Sequence, residues 1–270
     1  MRVLPPVTQP PEAPIPRRHR PRPAGRWGQY RSCLRWDFGF TCAFCLLHDA
    51  DVYGGLPGEG LGGTTVEHVI ARSTDPSLAA EYENCVYACR WCNRSRSAHP
   101  TEHNGARLLD PTRVAWGDHF VAAADTLVPA STYFTATLGI PPPGLDGDTD
   151  AQATHRAYAL DDPRKVGRRR ARRELVSDRL RLIARHGAEL TVLLRLADPL
   201  RRRDPGRFGR VIREIRALRD DARRALRDLR RYEALPLDAA RTCRCPPPCE
   251  FSLPEYLDRQ LVEVPDTPGP

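Results

Sequence analysis

With 270 residues, 40% of them hydrophobic, the chain is long enough to bury a full core, and no run of about 18 apolar residues is present to cross a membrane. The N-terminus lacks the apolar centre of a secretory signal, so a cytoplasmic location is expected, and nine cysteines kept reduced there point to metal rather than to disulfides. The net charge of +8 is uneven: residues 163–232 carry 24 Lys+Arg against 9 Asp+Glu, a net of +15, which leaves −7 on the rest. A face that basic suits a polyanion such as nucleic acid, although helices laced with Arg, Asp and Glu are also often simply solvated.

Residues 1–26 are rich in Pro and Arg without a hydrophobic period and read as a disordered arm. Residues 27–40 (WGQYRSCLRWDFGF) predict a short helix or turn, with Cys33 as a buried thiol. Cys42 and Cys45 form a first Cys-x-x-Cys knuckle. The glycine-rich residues 53–63 lack the Lys-Ser/Thr ending of a phosphate-binding loop and read as surface. Residues 64–70 (TTVEHVI) alternate like a strand, 72–83 form a loop, 84–88 a second strand, and 89–97 the first turns of a helix that opens with Cys89 and Cys92. Two such knuckles make a four-thiolate zinc pattern, since zinc takes four ligands tetrahedrally and each turn supplies two.

Further on, Asp110 caps a turn before Pro111, His119 is expected to pack rather than to bind metal, and 120–139 give a strand or hairpin and then a short helix. Residues 140–152 (IPPPGLDGDTDAQ) read as a linker. Asp162-Pro163 starts a helix expected to end at Gly187, a short helix covers 188–197, and Pro199 and Asp204-Pro205-Gly206 interrupt. A last long helix from Arg207 shows an apolar stripe: Phe208, Val211, Ile212, Ile215, Leu218, Ala222, Leu226, Leu229 and Tyr232. Cys243, Cys245 and Cys249 could bind a second zinc, with Cys33 or a histidine as fourth ligand. The organisation read from this is an arm (1–26), a core with appended elements (27–139), a linker (140–154), a basic helical domain (155–235) and a Cys-containing tail (236–270).

The succession Cys-x-x-Cys, Glu-His-Val-Ile-x-Arg-Ser, Asn, Cys-x-x-Cys-Asn-Arg, over about residues 31–110, resembles the HNH endonuclease family. The resemblance implies an α+β fold, a zinc-stapled ββα-metal core followed here by mainly α-helical sequence, and metal-dependent hydrolysis of DNA that leaves 5′-phosphate and 3′-hydroxyl ends. It makes His68 the general base, has Glu67 and Asn93 hold one divalent ion on the scissile phosphate, and has Asn84 fix the loop that orients His68. Cys42, Cys45, Cys89 and Cys92 would hold structural zinc. Asn93 stands in place of the family's third histidine, and Ser97 where some relatives carry another, so the donors are oxygens and favour Mg²⁺ or Mn²⁺. Adjacent strand residues face opposite ways, so Glu67 and His68 can converge only where the strand bends or ends. Arg72, Arg90, Arg94 and Arg96 are candidates to grip flanking phosphates. Restriction, phage defence or mobile-element maintenance is what the resemblance suggests. Two other readings stay open: a silent zinc-stapled DNA-binding or adaptor protein, and a nuclease subunit that needs a partner protein.

Overall fold

The computed structural model describes residues 2–3, 9–52, 63–96, 99, 101–103, 105–139, 144, 148–240, 245 and 262–263, with side chains for all of these except 2–3, 103, 230–240 and 262–263. In chain order its elements are β1 (Arg2–Val3), α1 (Arg31–Asp37), α2 (Asp49–Val52), β2 (Thr64–His68), β3 (Cys85–Cys89), α3 (Arg90–Arg96), β4 (Glu102–His103) and β5 (Ala106–Arg107). There follow α4 (Trp116–His119), β6 (Phe120–Ala123), β7 (Thr126–Pro129), α5 (Ala130–Leu138), α6 (Thr149–Ala157), α7 (Pro163–Arg203), α8 (Pro205–Ala240) and β8 (Val262–Glu263). Among the described residues the strands pair two by two, all antiparallel, which together with the helices makes the α+β architecture expected.

The alternating residues of β2 put Thr64, Val66 and His68 on one face and Thr65 and Glu67 on the other. β3 pairs with it from Thr64↔Cys89 to His68↔Cys85, and α3 starts at the next residue, Arg90, so strand, strand and helix form one ββα unit. α1 is tied to that unit by Arg31, whose guanidinium donates to the Thr64 carbonyl and, at 2.9 Å, to Thr64 Oγ1. Beneath it the buried Asp49 of α2 accepts from Arg35 at 2.8 Å and from the Tyr87 hydroxyl at 2.7 Å. A buried ion pair holds only when its remaining lone pairs are satisfied, and here α1 and β3 supply the donors to the carboxylate of α2.

Residues 9–26 depart from the expected disordered arm. The Arg18 and His19 backbone N–H groups both donate to Asp37 Oδ1 at 3.0 Å, and the buried His19 ring meets the same oxygen at 2.8 Å. Arg17 lies over the rings of Phe38 and Tyr82, and Gly117 N–H donates to the Pro11 carbonyl at 2.7 Å. A Cβ on Gly117 would stand 3.2 Å from that carbonyl oxygen, so glycine permits the close approach. Proline needs no ladder partner of its own, and this Pro-rich segment binds through the few N–H groups and cations it has.

The second departure is in the helices. The expected break at Gly187 and the separate helix 188–197 are absent: α7 runs unbroken through Gly187 and Pro199 to Arg203. A mid-helix glycine costs about 1 kcal/mol. Each apolar side chain buried along the α7–α8 seam returns roughly 1.5–3 kcal/mol, and that seam holds Val176, Leu180, Ile183 and Leu229. The stop that operates is Asp204, whose N–H ends α7 on the Leu200 carbonyl and whose Oδ1 accepts from Arg207 N–H at 2.9 Å to start α8. Of the apolar stripe of α8, Ile215 and Leu229 are buried and Phe208, Val211, Ile212, Leu218, Ala222 and Leu226 half-buried, with Ala225, outside the stripe, buried among them; Tyr232 lies outside the described side chains. α6 begins at Thr149, inside the stretch read as linker, because Asp148 caps it by accepting from Ala151 N–H at 2.9 Å.

At the start of α7, Asp162 accepts from Arg164 N–H at 2.8 Å with Pro163 in the first turn. The Arg164 side chain, against partial burial, draws the Asp162 carboxyl from 3.8 down to about 2. A depressed carboxyl stabilises the fold above its unfolded value, so this contribution should be lost as pH falls from about 4 through about 2. Asp162→Ala is expected to cost about 1 kcal/mol in urea unfolding at pH 7, and the difference from wild type should shrink towards pH 2.

Candidate functional site

The first knuckle is a tight turn in which Leu46 N–H donates to the Cys42 carbonyl at 3.0 Å and Leu46 itself takes a left-handed φ of 59°. Ala43 N–H donates to the Tyr87 carbonyl at 2.8 Å, which lays the knuckle against β3. Cys89 is the last residue of β3 and Cys92 lies in the first turn of α3, its N–H directed at Cys89 Sγ at 3.4 Å. The four Sγ atoms of Cys42, Cys45, Cys89 and Cys92 lie within 4.8 Å of one another and all four residues are buried. Burial by itself would raise the Cys45 thiol, but hydrogen bonds from Cys42, Cys89 and Cys92 and the charge of Arg169 bring it well below its ordinary value. A closed set of four sulfurs with one already disposed to ionise fits structural zinc, with no position open to substrate.

Four thiolates around a divalent ion leave a buried double negative charge, and α7 answers it. Lys165, the chain's single lysine, is fully buried, donating to the Tyr158 carbonyl and, at 2.9 Å, to that of Ala159. Burial would lower its pKa, yet the thiolates of Cys92, Cys45, Cys89 and Cys42 hold it above the ordinary value. One turn on, Arg169 donates to the Cys45 carbonyl at 2.9 Å, and one turn further Arg172 pairs with Asp51 at 2.9 Å. These three cations fall on one helical face at i, i+4 and i+7. Part of the basic stretch that reads as a polyanion surface is therefore turned inward. The sequence does hold a signal for this: where every other basic residue is Arg, a lone Lys marks an unusual place.

His68 ends β2. Its Nε2 lies 3.0 Å from the Ala79 carbonyl oxygen, its ring makes a T-shaped contact with Trp27 at 5.6 Å between centroids, and Arg72 lies over the same indole at 4.5 Å. A carbonyl can only accept, so Nε2 carries the proton and Nδ1 keeps a lone pair. No described residue hydrogen-bonds Nδ1. Burial, together with the charge of Arg72, lowers the His68 pKa, against the pull of the Ala79 carbonyl, and so favours the neutral ring. Asn84 clamps the loop that carries Ala79: its Oδ1 accepts from Ile70 N–H at 2.8 Å, and its Nδ2 donates to the Ile70 and Leu78 carbonyls, each at 3.1 Å.

Glu67 bends back along the strand end so that Oε1 accepts from His68 N–H at 2.8 Å. Burial raises its pKa, offset in part by that N–H and by the charges of Arg96 and Arg72. Five carboxylates are buried among the described residues: Asp37, Asp49, Asp51, Glu67 and Asp125. Asp37 meets His19, Asp49 meets Arg35, Asp51 meets Arg172 and Asp125 meets Arg173, whereas no described basic side chain lies within ion-pair distance of Glu67. On α3, Asn93 Nδ2 donates to the Val66 carbonyl at 3.2 Å, next to Glu67, which leaves its Oδ1 without a described partner. A buried carboxylate without a described basic partner and an amide oxygen on the adjoining helix are donors of the kind a hard divalent cation takes.

The candidate phosphate-binding arginines divide. Arg72, Arg90 and Arg94 are exposed, with Arg90 lying over Trp91. Arg96 must be corrected: it is buried, its guanidinium donating to the His99 carbonyl and to Thr101 Oγ1 at 3.1 Å, so it braces the end of α3 and biases Glu67 rather than facing solvent. His119 meets Asp148 at 2.7 Å and Asp110 accepts from Thr112 N–H at 2.9 Å, the packing and capping roles expected of them. Trp27, Lys165 and Arg169 are site neighbours that motif reading alone does not find. Ser97, Cys243 and Cys249 lie outside the described residues.

No helix among the described residues is long and apolar enough to cross a membrane. Comparison with known proteins finds no match among curated proteins or solved structures. The family model of the HNH endonucleases does match, over residues 42–99, from the first zinc knuckle to just past α3. Knuckles, hairpin and helix thus coincide with a match of the same extent, and residues 42–99 carry an HNH endonuclease domain pattern with a four-cysteine cluster suited to zinc.

Proposed function

We propose that the chain is a metal-dependent endonuclease that hydrolyses DNA phosphodiester bonds and leaves 5′-phosphate and 3′-hydroxyl ends. The observation behind this reading is Glu67, the one buried carboxylate of the described set with no described basic side chain within ion-pair distance, one residue from His68 and next in sequence to Val66, whose carbonyl accepts from Asn93. Glu67 and Asn93 would hold Mg²⁺ or Mn²⁺, which when bound supplies charge stabilisation to the scissile phosphate and the departing oxygen. His68 takes the proton of the attacking water at Nδ1, the nitrogen left open because Ala79 holds Nε2. Asn84 fixes the loop and so the tautomer, while Arg72, Arg90 and Arg94 contact phosphates on either side of the cut.

The residues around the motif are not basic overall: 30–110 hold 7 Arg and 10 Asp+Glu, so the outward arginines of α7 and α8 would supply much of the DNA affinity. A cytoplasmic enzyme of this kind suits restriction or phage defence. A second reading, a nuclease subunit that acts only with a partner protein, is favoured by Val192, Leu194 and Leu196, which are 57%, 59% and 49% exposed along α7.

The test is cleavage of supercoiled plasmid in Mg²⁺ or Mn²⁺ by wild type and Glu67→Gln, with zinc content measured on both. Wild type should cut, Glu67→Gln should be at least about 100-fold slower at equal zinc, and the ends should be ligatable. A zinc-loaded, folded wild type that leaves the plasmid intact would refute autonomous nuclease activity and turn attention to the partner.

A further inference from the structure

The arginines of the α7–α8 hairpin are not alike. In the first half of α7, Arg164, Arg170, Arg172, Arg173, Arg179 and Arg181 each stand 3.4 Å or less from a carboxylate oxygen. Around the turn that joins the two helices, residues 201–213 hold six arginines and one acid, Asp204. Asp204 is taken up by the turn itself, accepting from Arg207 N–H at 2.9 Å. Arg201, Arg202, Arg203, Arg207, Arg210 and Arg213 are all exposed, and among the described residues no carboxylate lies within ion-pair distance of their side chains.

Folding does not account for that cluster. The C-terminal dipole of α7 amounts to about half a negative charge, which answers little of the positive charge on Arg201, Arg202 and Arg203. The N-terminal dipole of α8 is itself positive, so Arg207 and Arg210 stand where a helix favours acids, and its first turn holds none. Arg207, Arg210 and Arg213 follow at three-residue steps and form a stripe over the first turns of that helix. Guanidinium groups bind phosphate oxygens bidentately, and a polyanion that releases counterions on contact is the partner such a cluster fits.

α7 is fixed to the core at Arg172, which pairs with Asp51 at 2.9 Å. From Arg172 to Arg203 the same helix runs unbroken, a span of about 46 Å at roughly 1.5 Å per residue. That length matches about 14 base pairs of duplex DNA. We propose that this end of the hairpin is a second docking surface for duplex DNA, and that one duplex bridges it and the HNH core. The inference rests on DNA as the substrate, and its test reads binding apart from cleavage so that the two can fail separately.

Full-length protein without added divalent ion is titrated against fluorescent duplexes of about 12 and about 30 base pairs, the shorter unable to reach both surfaces, over roughly 50–200 mM salt. Wild type should bind the longer duplex at least about 100-fold more tightly. Arg201→Gln/Arg202→Gln/Arg203→Gln should shrink that step to about tenfold or less, the gain from extra sites alone, and lower the log–log salt slope by about one per arginine removed. Arg207→Gln/Arg210→Gln/Arg213→Gln should do the same from α8, with far-ultraviolet circular dichroism confirming that both variants keep their helices. A wild type without the step would overturn the proposal, as would triple variants that keep both step and slope. So would phosphatidylserine vesicles captured by wild type and not by the variants in the absence of the step, which would mark a membrane surface instead. A plasmid left uncut by protein that shows the step would refute the nuclease activity and leave the docking surface standing.

Discussion

Cys45→Ser is expected to unfold the nuclease core rather than merely to lower its zinc content. Structural zinc contributes on the order of 10–16 kcal/mol where ligands are presented only by the folded chain. A domain of this size has roughly 5–15 kcal/mol in total. Serine is a poor zinc ligand at neutral pH, and losing the ion would leave Lys165 and Arg169 buried without the thiolate charge they answer. The helical hairpin of α7 and α8 has its own seam, so the far-ultraviolet signal should persist in large part. The near-ultraviolet signal of the buried Trp36, Trp91 and Trp116 should collapse. Wild type treated with a strong chelator should follow the same course. A Cys45→Ser protein with native near-ultraviolet spectrum and cooperative unfolding within 1–2 kcal/mol of wild type, about the effect of an ordinary point change, would rule out zinc as the staple.

His68→Ala should reduce DNA cleavage by about 10²–10⁴-fold, the range of a positioned general base, at unchanged zinc and unchanged thermal unfolding. Stability should hold because the ring's described partners are the Ala79 carbonyl and Trp27, a half-buried side chain at the margin of the core. The vacated space beside Trp27 gives added imidazole a place to act, and partial recovery of rate with imidazole would mark proton transfer rather than packing as the lost function. Asn84→Ala provides the contrast. It removes three hydrogen bonds that close the loop, so it should lower both the rate and the melting temperature, and imidazole should not restore it. Full activity in His68→Ala would show that the water is activated elsewhere.

Much of the core was legible because its signals are local. β-branched alternation marked β2, adjacency placed Cys89 and Cys92 at a strand-helix junction, and the hairpin of β6 and β7 with its short helix followed from simple periodicity. Asn84 showed in its spacing, and its side chain makes three bonds, to Ile70 and Leu78. What escaped depends on distant partners. Nothing near Gly187 says that α8 lies alongside to hold the helix together, and nothing near His19 says that Asp37 waits for it. Arg96 looks like its neighbours Arg90 and Arg94 in the sequence, and only the turn of α3 sends it inward. Charge counts fail for the same reason: they add Lys165, Arg169 and Arg172 to a surface they do not reach.

The position of Lys165 also governs how the molecule can be handled chemically. Its ε-amine is the only one in the chain and is enclosed beside the thiolate cluster. Amine-directed dyes, cross-linkers and lysine-specific proteases therefore find no side-chain target on the native protein. Acylation or cleavage at Lys165 becomes a clock for opening of the core, readable from a single peptide.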